Sequence, residues 1–518
     1  MVKGVQELNS INLIPLISIT KNSFLNIQKK AVLNFKSEVI NIFNYTKNQF
    51  DYLRERGYSI DLNLKFHGDE TTPISIFYSL RREKMFLLES SIFDEEKGRY
   101  SFIGIEPYAE ISSKGLETKI LEKGITTRIN GRILDQVQRF IEKVNYKNES
   151  TIPFQGGAVG YVGYDVIKQY ECISNSNNDP LGLPEAYLMF YKKFVVYDHY
   201  DKTVSIHQIV LNNEKINYDE AENNLLQMKE RICSYNKTNA IEAEASNKEI
   251  SSNTSKEEFV KMVSDAKKYI ENGDAFQIVV SQRFSCNFNE DPFKIYRKLR
   301  SKNPSPYMFF IDYDSFQIVG SSPESLVTVK GEVVTTMPIA GTRKRGANIH
   351  EDEKIREDLL KDEKEVAEHL MLVDLARNDI GRISKIGTVK VERLMDIEMY
   401  SKIMHIVSKV TGILKDDNKA FDALKFCLPA GTLSGAPKIR AMEIIEELEK
   451  EKRTVYAGAI GYFSFNGDMD TCIAIRTVVL KDGKGYVQAG AGIVYDSIPE
   501  LEYEESYNKA LGVLEVIK

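Results

Sequence analysis

The chain has 518 residues, of which 42% are hydrophobic and 28% charged, and its net charge is −6 at pH 7. This length and balance allow two or three domains with sizeable cores. Because there is no net positive charge, the chain has no overall field to hold nucleic acid or an anionic membrane, so the counter-charges of an anionic substrate must be local. No run of about 18 apolar residues occurs, and no membrane-spanning helix is predicted.

The use of cysteine indicates a reduced, cytoplasmic protein. Five cysteines occur, an odd number, and none forms a CxxC pair. This is typical of free thiols rather than of a disulfide framework or a zinc site. The apolar segment 11–19 has no adjacent small-residue cleavage site, so a signal peptide is not expected.

In chain order, residues 1–45 carry no informative motif and form an unassigned N-terminal extension. Residues 46–233 contain short strand-like runs, a predicted hairpin over 188–210 and an amphipathic helix from Tyr218 to Cys233. Residues 234–254 are polar and poor in aromatic side chains, which predicts a linker.

Residues 255–518 form the second predicted region. Ser255 can cap a helix that carries Phe259 and Val263. Beyond it, long helices mix with alternating strands, without a βα repeat of regular period. This pattern favours an α+β fold with antiparallel sheets over a barrel or a doubly wound parallel sheet.

A helix is predicted for EVAEHLMLVDLARND, which begins at Glu365 and contains no Pro or Gly. Glu365 and Glu368 stand three residues apart, so their carboxylates share one face of this helix. Its apolar side is predicted to comprise Val366, Leu370 and Val373.

A second acidic pair, Glu502 and Glu505, has the same spacing near the C-terminus, with Lys509 one turn further on. Each pair alone is more often a solvated helix face than a binding site. Four carboxylates that converge on one pocket would repel one another unless they were protonated or shared a cation, and all-oxygen ligands suit Mg²⁺. The two pairs are therefore candidate magnesium ligands.

Other stretches carry polar candidates whose role the residues alone leave open. Gln277 begins a buried strand, where it could bind a ligand or satisfy the backbone. In TTMPIAGTRKRG, Gly341 and Thr342 can offer backbone N–H groups to an oxyanion, whereas the basic run 343–345 is more often solvated than ligand-binding.

Three more segments could contact an anion. LPAGTLSGAPK leads with Gly431 and Gly435 into a helix, which fits either an anion site or an ordinary capped helix. Arg476 lies among apolar strand residues and needs an anionic partner, either a ligand carboxylate or a structural salt bridge. His405 is expected to be a core residue unless it lies beside the carboxylate site.

Seven segments together carry a resemblance: PIAGTRKRG, EKEVAEHLMLVDLARND, MHIVSKVTG, PAGTLSGAPK, GAIGYF, DTCIAIRT and QAGAGIVYDSIPELEYEES. In this order they resemble the chorismate-utilising enzymes, and within that family they are most similar to component I of the anthranilate synthases. The resemblance implies a sandwich of antiparallel sheets with helices on the outside. Residues 255–518 would be the chorismate-binding region and 46–233 a regulatory region.

The resemblance also implies a role for each candidate. Glu368 and Glu505 would bind Mg²⁺, and Glu365 and Glu502 would hold its waters. The substrate contacts would be Gly341, Thr342, Tyr456, Arg476, Gly490, Ala491 and Gly492. His405 and Thr432 would lie near the C4 hydroxyl that leaves. The implied reaction converts chorismate and ammonia to anthranilate and pyruvate, the first committed step of tryptophan biosynthesis.

Two positions bear on which family member this is. Where this chain has Gln277, relatives that use water as the nucleophile have lysine, and a neutral amide cannot act as a base on water. Where it has Ala340, typical aminodeoxychorismate synthases have lysine. Both positions favour ammonia and an anthranilate product. The alternatives are component I of an aminodeoxychorismate synthase and a non-catalytic, tryptophan-binding relative.

The resemblance extends to an effector site and a partner. LLES and NPSPYMFF resemble the family's tryptophan pocket, with Ser90, Pro306, Tyr307 and Met308 as contacts, which implies feedback inhibition. None of the five cysteines lies in a nucleophile-elbow context. The family therefore implies a separate glutamine amidotransferase subunit that supplies ammonia.

Overall fold

The computed structural model describes residues 42–91, 98–147, 150–235, 249–400 and 403–517. Most of the predicted extension 1–45 and the centre of the predicted linker 234–254 lie outside these ranges. Among the described residues, no helix combines the length and the apolar character needed to cross a membrane.

The first region contains the following elements. Its helices are α1 (Lys47–Glu55), α2 (Pro73–Leu80), α3 (Ile133–Glu142) and α4 (Tyr218–Cys233), with a 3₁₀ helix at Tyr164–Gln169. Its strands are β1 (Ile42–Phe43), β2 (Ile60–His67), β3 (Phe86–Glu89), β4 (Tyr100–Ile105), β5 (Ala109–Lys114), β6 (Glu117–Glu122), β7 (Ile125–Asn130), β8 (Gly157–Val162), β9 (Ala186–Tyr191), β10 (Lys193–Asp198) and β11 (Thr203–Val210).

The second region continues the numbering. Its helices are α5 (Lys256–Glu271), α6 (Pro292–Lys302), α7 (Ile349–Lys361), α8 (Glu363–Gly381), α9 (Ala420–Cys427), α10 (Gly431–Ser434), α11 (Lys438–Leu448) and α12 (Pro499–Ile517). Its strands are β12 (Ser251–Ser252), β13 (Gln277–Asn287), β14 (Tyr307–Asp312), β15 (Gln317–Ser322), β16 (Ser325–Lys330), β17 (Val333–Thr336), β18 (Ile339–Lys344), β19 (Lys390–Met399), β20 (Ile403–Ile413), β21 (Gly435–Ala436), β22 (Ala459–Ser464), β23 (Met469–Ile473), β24 (Thr477–Lys481) and β25 (Lys484–Ile493).

Several local predictions are confirmed. The helix over Tyr218–Cys233 forms, and the Ser255 side chain caps α5 by accepting from the backbone N–H of Glu258. Part of the predicted hairpin over 188–210 also forms, because β10 and β11 pair antiparallel; residues 188–191 lie in β9, in another sheet.

Two large antiparallel sheets organise the chain. Sheet 1 contains the order β2-β11-β10-β4-β3-β14-β15-β24-β25-β13-β12, and sheet 2 the order β18-β20-β17-β16-β23-β22-β8-β9-β5-β6-β7. Strands of the two predicted regions are neighbours in both sheets, through β3 with β14 and through β8 with β22. The regions 46–233 and 255–518 therefore share their sheets, and their functional division stays a prediction.

The core confirms the predicted α+β sandwich. Alternate side chains of a strand point to opposite faces of a sheet. On β4, Phe102 faces the cluster between the sheets, where it joins Ile460 of β22, whereas Ile103 faces the cluster beneath the helices, with Phe293 of α6 and Leu514 of α12. Sheet 1 is thus covered by sheet 2 on one face and by helices on the other.

Helix α8 corrects one detail of the sequence interpretation. Leu370 was predicted on the apolar side, but its side chain is 40% exposed. The buried side comprises His369, Leu372, Val373, Ala376 and Ile380. This buried side packs against β18 and β20 of sheet 2. Glu365 and Glu368 therefore lie on the side of α8 that faces away from the core.

Candidate active site

Helices α8 and α12 bring the two acidic pairs within electrostatic reach of each other. Burial raises the pKa of Glu368, and the negative charges of Glu365 and, more weakly, Glu505 raise it further. Burial likewise raises the pKa of Glu502, to which Glu505 adds. The two pairs therefore lie close enough for their charges to interact, and the region between them is called the cleft below; their convergence on one metal ion stays a prediction.

In each acidic pair, one carboxylate lies within hydrogen-bond distance of a positively charged side chain. Arg343 donates to Glu365 at 2.8 Å, and Lys509 lies 2.7 Å from Glu505. Gln277 Nε2 donates to Glu368 at 3.3 Å. In the part of the chain that the structure describes, no three His, Cys, Asp or Glu side chains are grouped closely enough to hold a metal ion. Within the described residues, Glu365 and Glu505 are thus each paired with a positively charged side chain, whereas Glu368 and Glu502 have no ion pair.

A bulge in β18 shapes the other wall of the cleft. The register of β18 on β20 shifts between Ala340 and Thr342, and Gly341 at this bulge has φ 67°. A Cβ atom at Gly341 would lie 3.2 Å from Glu365 Oε2. Both the backbone angle and the close approach of Glu365 favour glycine here.

The bulge also fixes His405. Its Nδ1 lies 2.9 Å from Thr342 Oγ1 and 3.2 Å from the carbonyl oxygen of Gly341. A carbonyl can only accept, so the hydrogen-bond pattern assigns the proton to Nδ1 and leaves Nε2 as an acceptor. Burial lowers the pKa of His405, which favours this neutral form.

A second histidine lies on α8 itself. His369 adjoins Glu368 in sequence, but its side chain is buried on the core side of α8 and hydrogen-bonds Ser408 at 2.6 Å. Burial lowers its pKa to about 4. It is a neutral packing residue rather than part of the cleft.

Sequence reasoning missed Glu324. It lies in the connection between β15 and β16, where its carboxylate accepts from Thr432 Oγ1 at 3.2 Å. Burial raises its pKa, and the positive charge of Arg476 is the largest opposing influence. Glu324 follows a proline in SSPES, which has no periodicity that marks a site.

Arg476 occupies an unusual backbone conformation. Its φ is 50°, in the left-handed region that non-glycine residues rarely adopt. Its carbonyl accepts from the N–H of Ser321 at 3.2 Å. The interpretation of Arg476 as a residue within a strand is wrong, because it lies in the connection between β23 and β24 and is exposed. Partial burial of the guanidinium lowers its pKa. Among the described residues no salt bridge involves Arg476, and its binding of an anion stays a prediction.

Two glycines of β25 form a cradle beside these groups. A Cβ atom at Gly492 would lie 2.8 Å from Gln277 Nε2, and one at Gly490 would lie 3.1 Å from Tyr456 Oη and 2.3 Å from the carbonyl of Val280. Ala491 between them points into the core. Only its backbone can therefore face the cleft.

A glycine before α11 also makes a close approach. Gly435 has φ 132°, and a Cβ atom there would lie 2.1 Å from the carbonyl of Gln277. Residues Gly435–Ala436 pair with the start of β13. This pairing holds Thr432, in α10, near the strand that begins with Gln277.

The predicted effector residues lie where the two regions meet. Strand β3 pairs with β14, so that Met308 stands opposite Glu89, and the N–H of Ser91 donates to Ser305 O at 3.1 Å. Ser90 therefore adjoins the segment that carries Pro306, Tyr307 and Met308.

A family model described as chorismate binding enzyme matches residues 88–515. This chain belongs to the chorismate-binding enzyme family. It is 48% identical over 486 residues to anthranilate synthase component 1 of Acetivibrio thermocellus, which covers 89% of this chain and 95% of that protein. It is 44% identical over 485 residues to anthranilate synthase component 1 of Aquifex aeolicus, covering 92% and 98%.

A solved structure resembles this chorismate-binding enzyme over most of its length. The crystal structure of anthranilate synthase component I from Streptococcus pneumoniae is 42% identical, with a TM-score of 0.74 over 86% of this chain and 98% of that one. The predicted family and its α+β architecture are thus confirmed. The roles of individual residues in this chorismate-binding enzyme stay predictions.

Proposed function

We propose that this chorismate-binding enzyme is the large subunit of an anthranilate synthase, which converts chorismate and ammonia to anthranilate and pyruvate for tryptophan synthesis. The observation that carries the proposal is Gln277, a neutral amide 3.3 Å from Glu368 in the cleft. It can hydrogen-bond a nucleophile but cannot deprotonate water. Ala340 in β18 offers no nucleophile of its own. The names of the relatives at 44–48% identity point to the same reaction.

The residues of the cleft fit a magnesium ion by their chemistry. The ligands on offer are carboxylate oxygens, and the raised pKa values of Glu368 and Glu502 reflect burial and the neighbouring negative charges, whose repulsion a divalent cation would relieve. Glu368 and Glu505 would hold the ion directly, and Glu365 and Glu502 would hold its waters. When bound, Mg²⁺ would neutralise the ring carboxylate and draw electron density toward it.

The substrate is held by groups on the opposite side of the cleft. Arg476 would bind the enolpyruvyl carboxylate, with Tyr456 beside it and the backbone of Gly490 and Gly492 close to the ligand. Glycine at these two positions lets β25 approach its neighbours closely, since an added Cβ would lie 2.3 Å from the Val280 carbonyl oxygen at Gly490 and 2.8 Å from Gln277 Nε2 at Gly492. Gly341 and Thr342 would contact the ligand from β18.

The geometry supports Glu324 as the proton donor for the leaving hydroxyl. A carboxyl group with a raised pKa keeps its proton closer to neutral pH, and Glu324 shares a hydrogen bond with Thr432, which the family places near the C4 hydroxyl. His405 is neutral with its Nδ1 proton directed at Gly341 O, so its free nitrogen accepts rather than donates. We assign His405 to orienting the substrate.

The bonds balance without any further reagent. The nitrogen of ammonia bonds to C2 as the C4–O bond breaks, and the hydroxide takes the Glu324 proton and leaves as water. The new ammonium group gives up its extra proton, which restores the Glu324 carboxyl group. Removal of the C2 proton and cleavage of the C3–O bond then aromatise the ring, and the departing enolpyruvate takes up a proton at its methylene carbon to become pyruvate. The designation component 1 of the relatives implies a partner component, which we propose to be a glutamine amidotransferase subunit that supplies the ammonia.

The purified chain is expected to make anthranilate and pyruvate from chorismate, Mg²⁺ and ammonium salt at alkaline pH, where more ammonia is unprotonated. Product fluorescence and mass detection measure this, and a Glu505→Ala control should abolish it. Glutamine should not replace ammonium for the isolated chain. Aminodeoxychorismate without pyruvate would move the chain to the folate branch, and bound but unconverted chorismate would favour a tryptophan-binding relative.

Feedback inhibition by tryptophan is part of the proposal. Tyr307 of the effector segment is the cross-strand partner of Ser322, which stands two residues before Glu324. Strand β15 is tied to both the effector segment and the cleft. Its Ser321 Oγ donates to Asn303 O, and the Ser321 N–H donates to Arg476 O. A shift of β14 on tryptophan binding would thus reach the cleft within a few residues.

Tryptophan is expected to lower anthranilate formation in a saturable titration. A Ser90→Leu variant should need about tenfold more tryptophan for half-inhibition, because it loses a polar contact worth about 1.4 kcal/mol. Its uninhibited kcat should match that of the unmodified chain. Activity that stays constant across the tryptophan titration would contradict the regulatory assignment.

A further inference from the structure

Arg453 is a buried arginine in the loop between α11 and β22. Its side chain is 1% exposed, and its guanidinium pairs with Glu449 through Nε at 2.9 Å and Nη2 at 2.6 Å. Burying such a pair removes two ions from water and is rarely favourable for stability by itself. The geometry of its remaining contacts indicates what the pair does.

The remaining N–H groups of Arg453 hold two segments of the cleft. Nη1 donates to the carbonyl of Leu433 at 2.6 Å, and Nη2 donates to the carbonyl of Val279 at 2.6 Å. Leu433 directly follows Thr432. Val279 lies two residues after Gln277, on the same face of β13. One planar group therefore fixes the distance between α10 and the start of β13.

The guanidinium also packs against two aromatic rings. It lies 4.7 Å from the ring centroid of Tyr164 and 5.6 Å from that of Tyr456. Tyr456 is a proposed substrate contact, and its hydroxyl faces Gly490. Arg453 thus also fixes the position of the Tyr456 ring in the cleft.

The partner carboxylate is itself anchored. Glu449 accepts from the backbone N–H and the Oγ of Ser281, both at 2.8 Å. Ser281 is the cross-strand partner of Gly490 in the β13–β25 ladder. The ion pair is consequently held in one orientation by the strand that forms the substrate cradle.

We infer that Arg453 is a positioning residue for the reaction. Held in place by Glu449, it sets the relative placement of Thr432, Tyr456 and the strand that carries Gln277. Arginine is required because a planar fork can address a carboxylate and two carbonyls at once, whereas lysine has a single nitrogen. This inference rests on the proposed function for its activity readout.

Arg453→Lys is expected to lower kcat for chorismate about 10- to 100-fold, because misplacement by about 1 Å is that costly in a preorganised site. The KM for chorismate should change about threefold or less, since Arg476 and the acidic pairs remain. Steady-state kinetics with ammonium, circular dichroism and thermal unfolding measure these effects. Glu449→Gln tests the same orientation without altering the arginine, and should also lower kcat.

Arg54→Lys is the matched control. The Arg54 guanidinium also holds backbone carbonyls, among them Leu211 at 2.6 Å, but it does so in the first region. Replacement of the Arg54 guanidinium by lysine should lower the unfolding temperature and leave kcat unchanged. If Arg453→Lys behaves like this control, with a lower unfolding temperature and an unchanged kcat, Arg453 is purely structural and the inference fails.

A double-mutant cycle separates positioning from a general effect. If Arg453 acts through Thr432, the combined Thr432→Val and Arg453→Lys change should reduce kcat much less than the product of the single reductions. Multiplicative effects would overturn the inference. The readout is chorismate consumption relative to the unmodified chain, so it remains valid if the product is not anthranilate. Failure of the unmodified chain to make anthranilate would instead count against the proposed function.

Discussion

Glu368→Gln is expected to reduce kcat for chorismate about 1,000-fold or more, because it removes a carboxylate proposed to hold the ion that stabilises the developing charge. The variant should fold, since the Glu368 side chain is only partly buried and glutamine has nearly the same shape. Steady-state kinetics at saturating Mg²⁺ and ammonium measure the loss.

A second readout does not depend on turnover. Binding of Mn²⁺ to the unmodified chain, followed by electron paramagnetic resonance, should weaken in the Glu368→Gln variant. Glu363→Gln is the matched control, because Glu363 is exposed at the start of the same helix. Metal affinity and kcat that are unchanged by Glu368→Gln would exclude this carboxylate from the site.

Glu324→Gln is expected to lower kcat about 100- to 10,000-fold, the range for removal of a general acid. The amide keeps a hydrogen-bond partner for Thr432 but has no proton to give to the leaving hydroxyl. The matched control is Glu332→Gln, an exposed glutamate in the turn between β16 and β17. Retention of more than about a tenth of kcat by Glu324→Gln would assign the proton to another group.

The pH dependence of kcat tests whether Glu324 acts in its protonated form. The raised pKa of Glu324 keeps the acid form present at higher pH than an exposed carboxyl group would, and activity that needs this form falls as pH rises through that pKa. The hydrogen bond from Thr432 stabilises the charged form and lowers the pKa of Glu324. Thr432→Val should therefore shift the alkaline limb of kcat to higher pH, and a shift to lower pH would contradict the assignment.

Local sequence patterns predicted the elements that carry the acidic pairs. The spacing of three residues between Glu365 and Glu368 depends only on helical geometry, and α8 forms as expected. The strand that begins at Gln277 follows equally from short-range signals. These features needed no knowledge of the tertiary fold.

The contacts that complete the cleft could not be found in this way. Arg343 belongs to a basic run that was expected to be solvated, yet it pairs with Asp362 at 2.7 Å and with Glu365. Glu324 acquires its character from burial beside Thr432 and Arg476, which are more than 100 residues away in sequence. Distant partners of this kind become visible only when both sheets are assembled.

The roles of Arg453 and Leu370 illustrate the same limit. A buried guanidinium was not expected from KRTVYAG, because nothing local indicates which carbonyls will surround it. Leu370 fits a helical apolar stripe, but α8 meets sheet 2 through a face rotated toward Leu372 and Val373, so Leu370 remains 40% exposed. The position of the neighbouring layer, rather than helical periodicity, decides which side chains are buried.

The interleaving of strands has a consequence for how the chain can be divided. Cutting at 236–248 would leave β14 without β3 and β22 without β8, so residues 249–517 alone would present two unpaired edges in the middle of what were continuous sheets. Such edges recruit other strands and promote aggregation. Residues 249–517 are thus not expected to fold as a separate unit, because both of their sheets are completed by strands from residues 42–235.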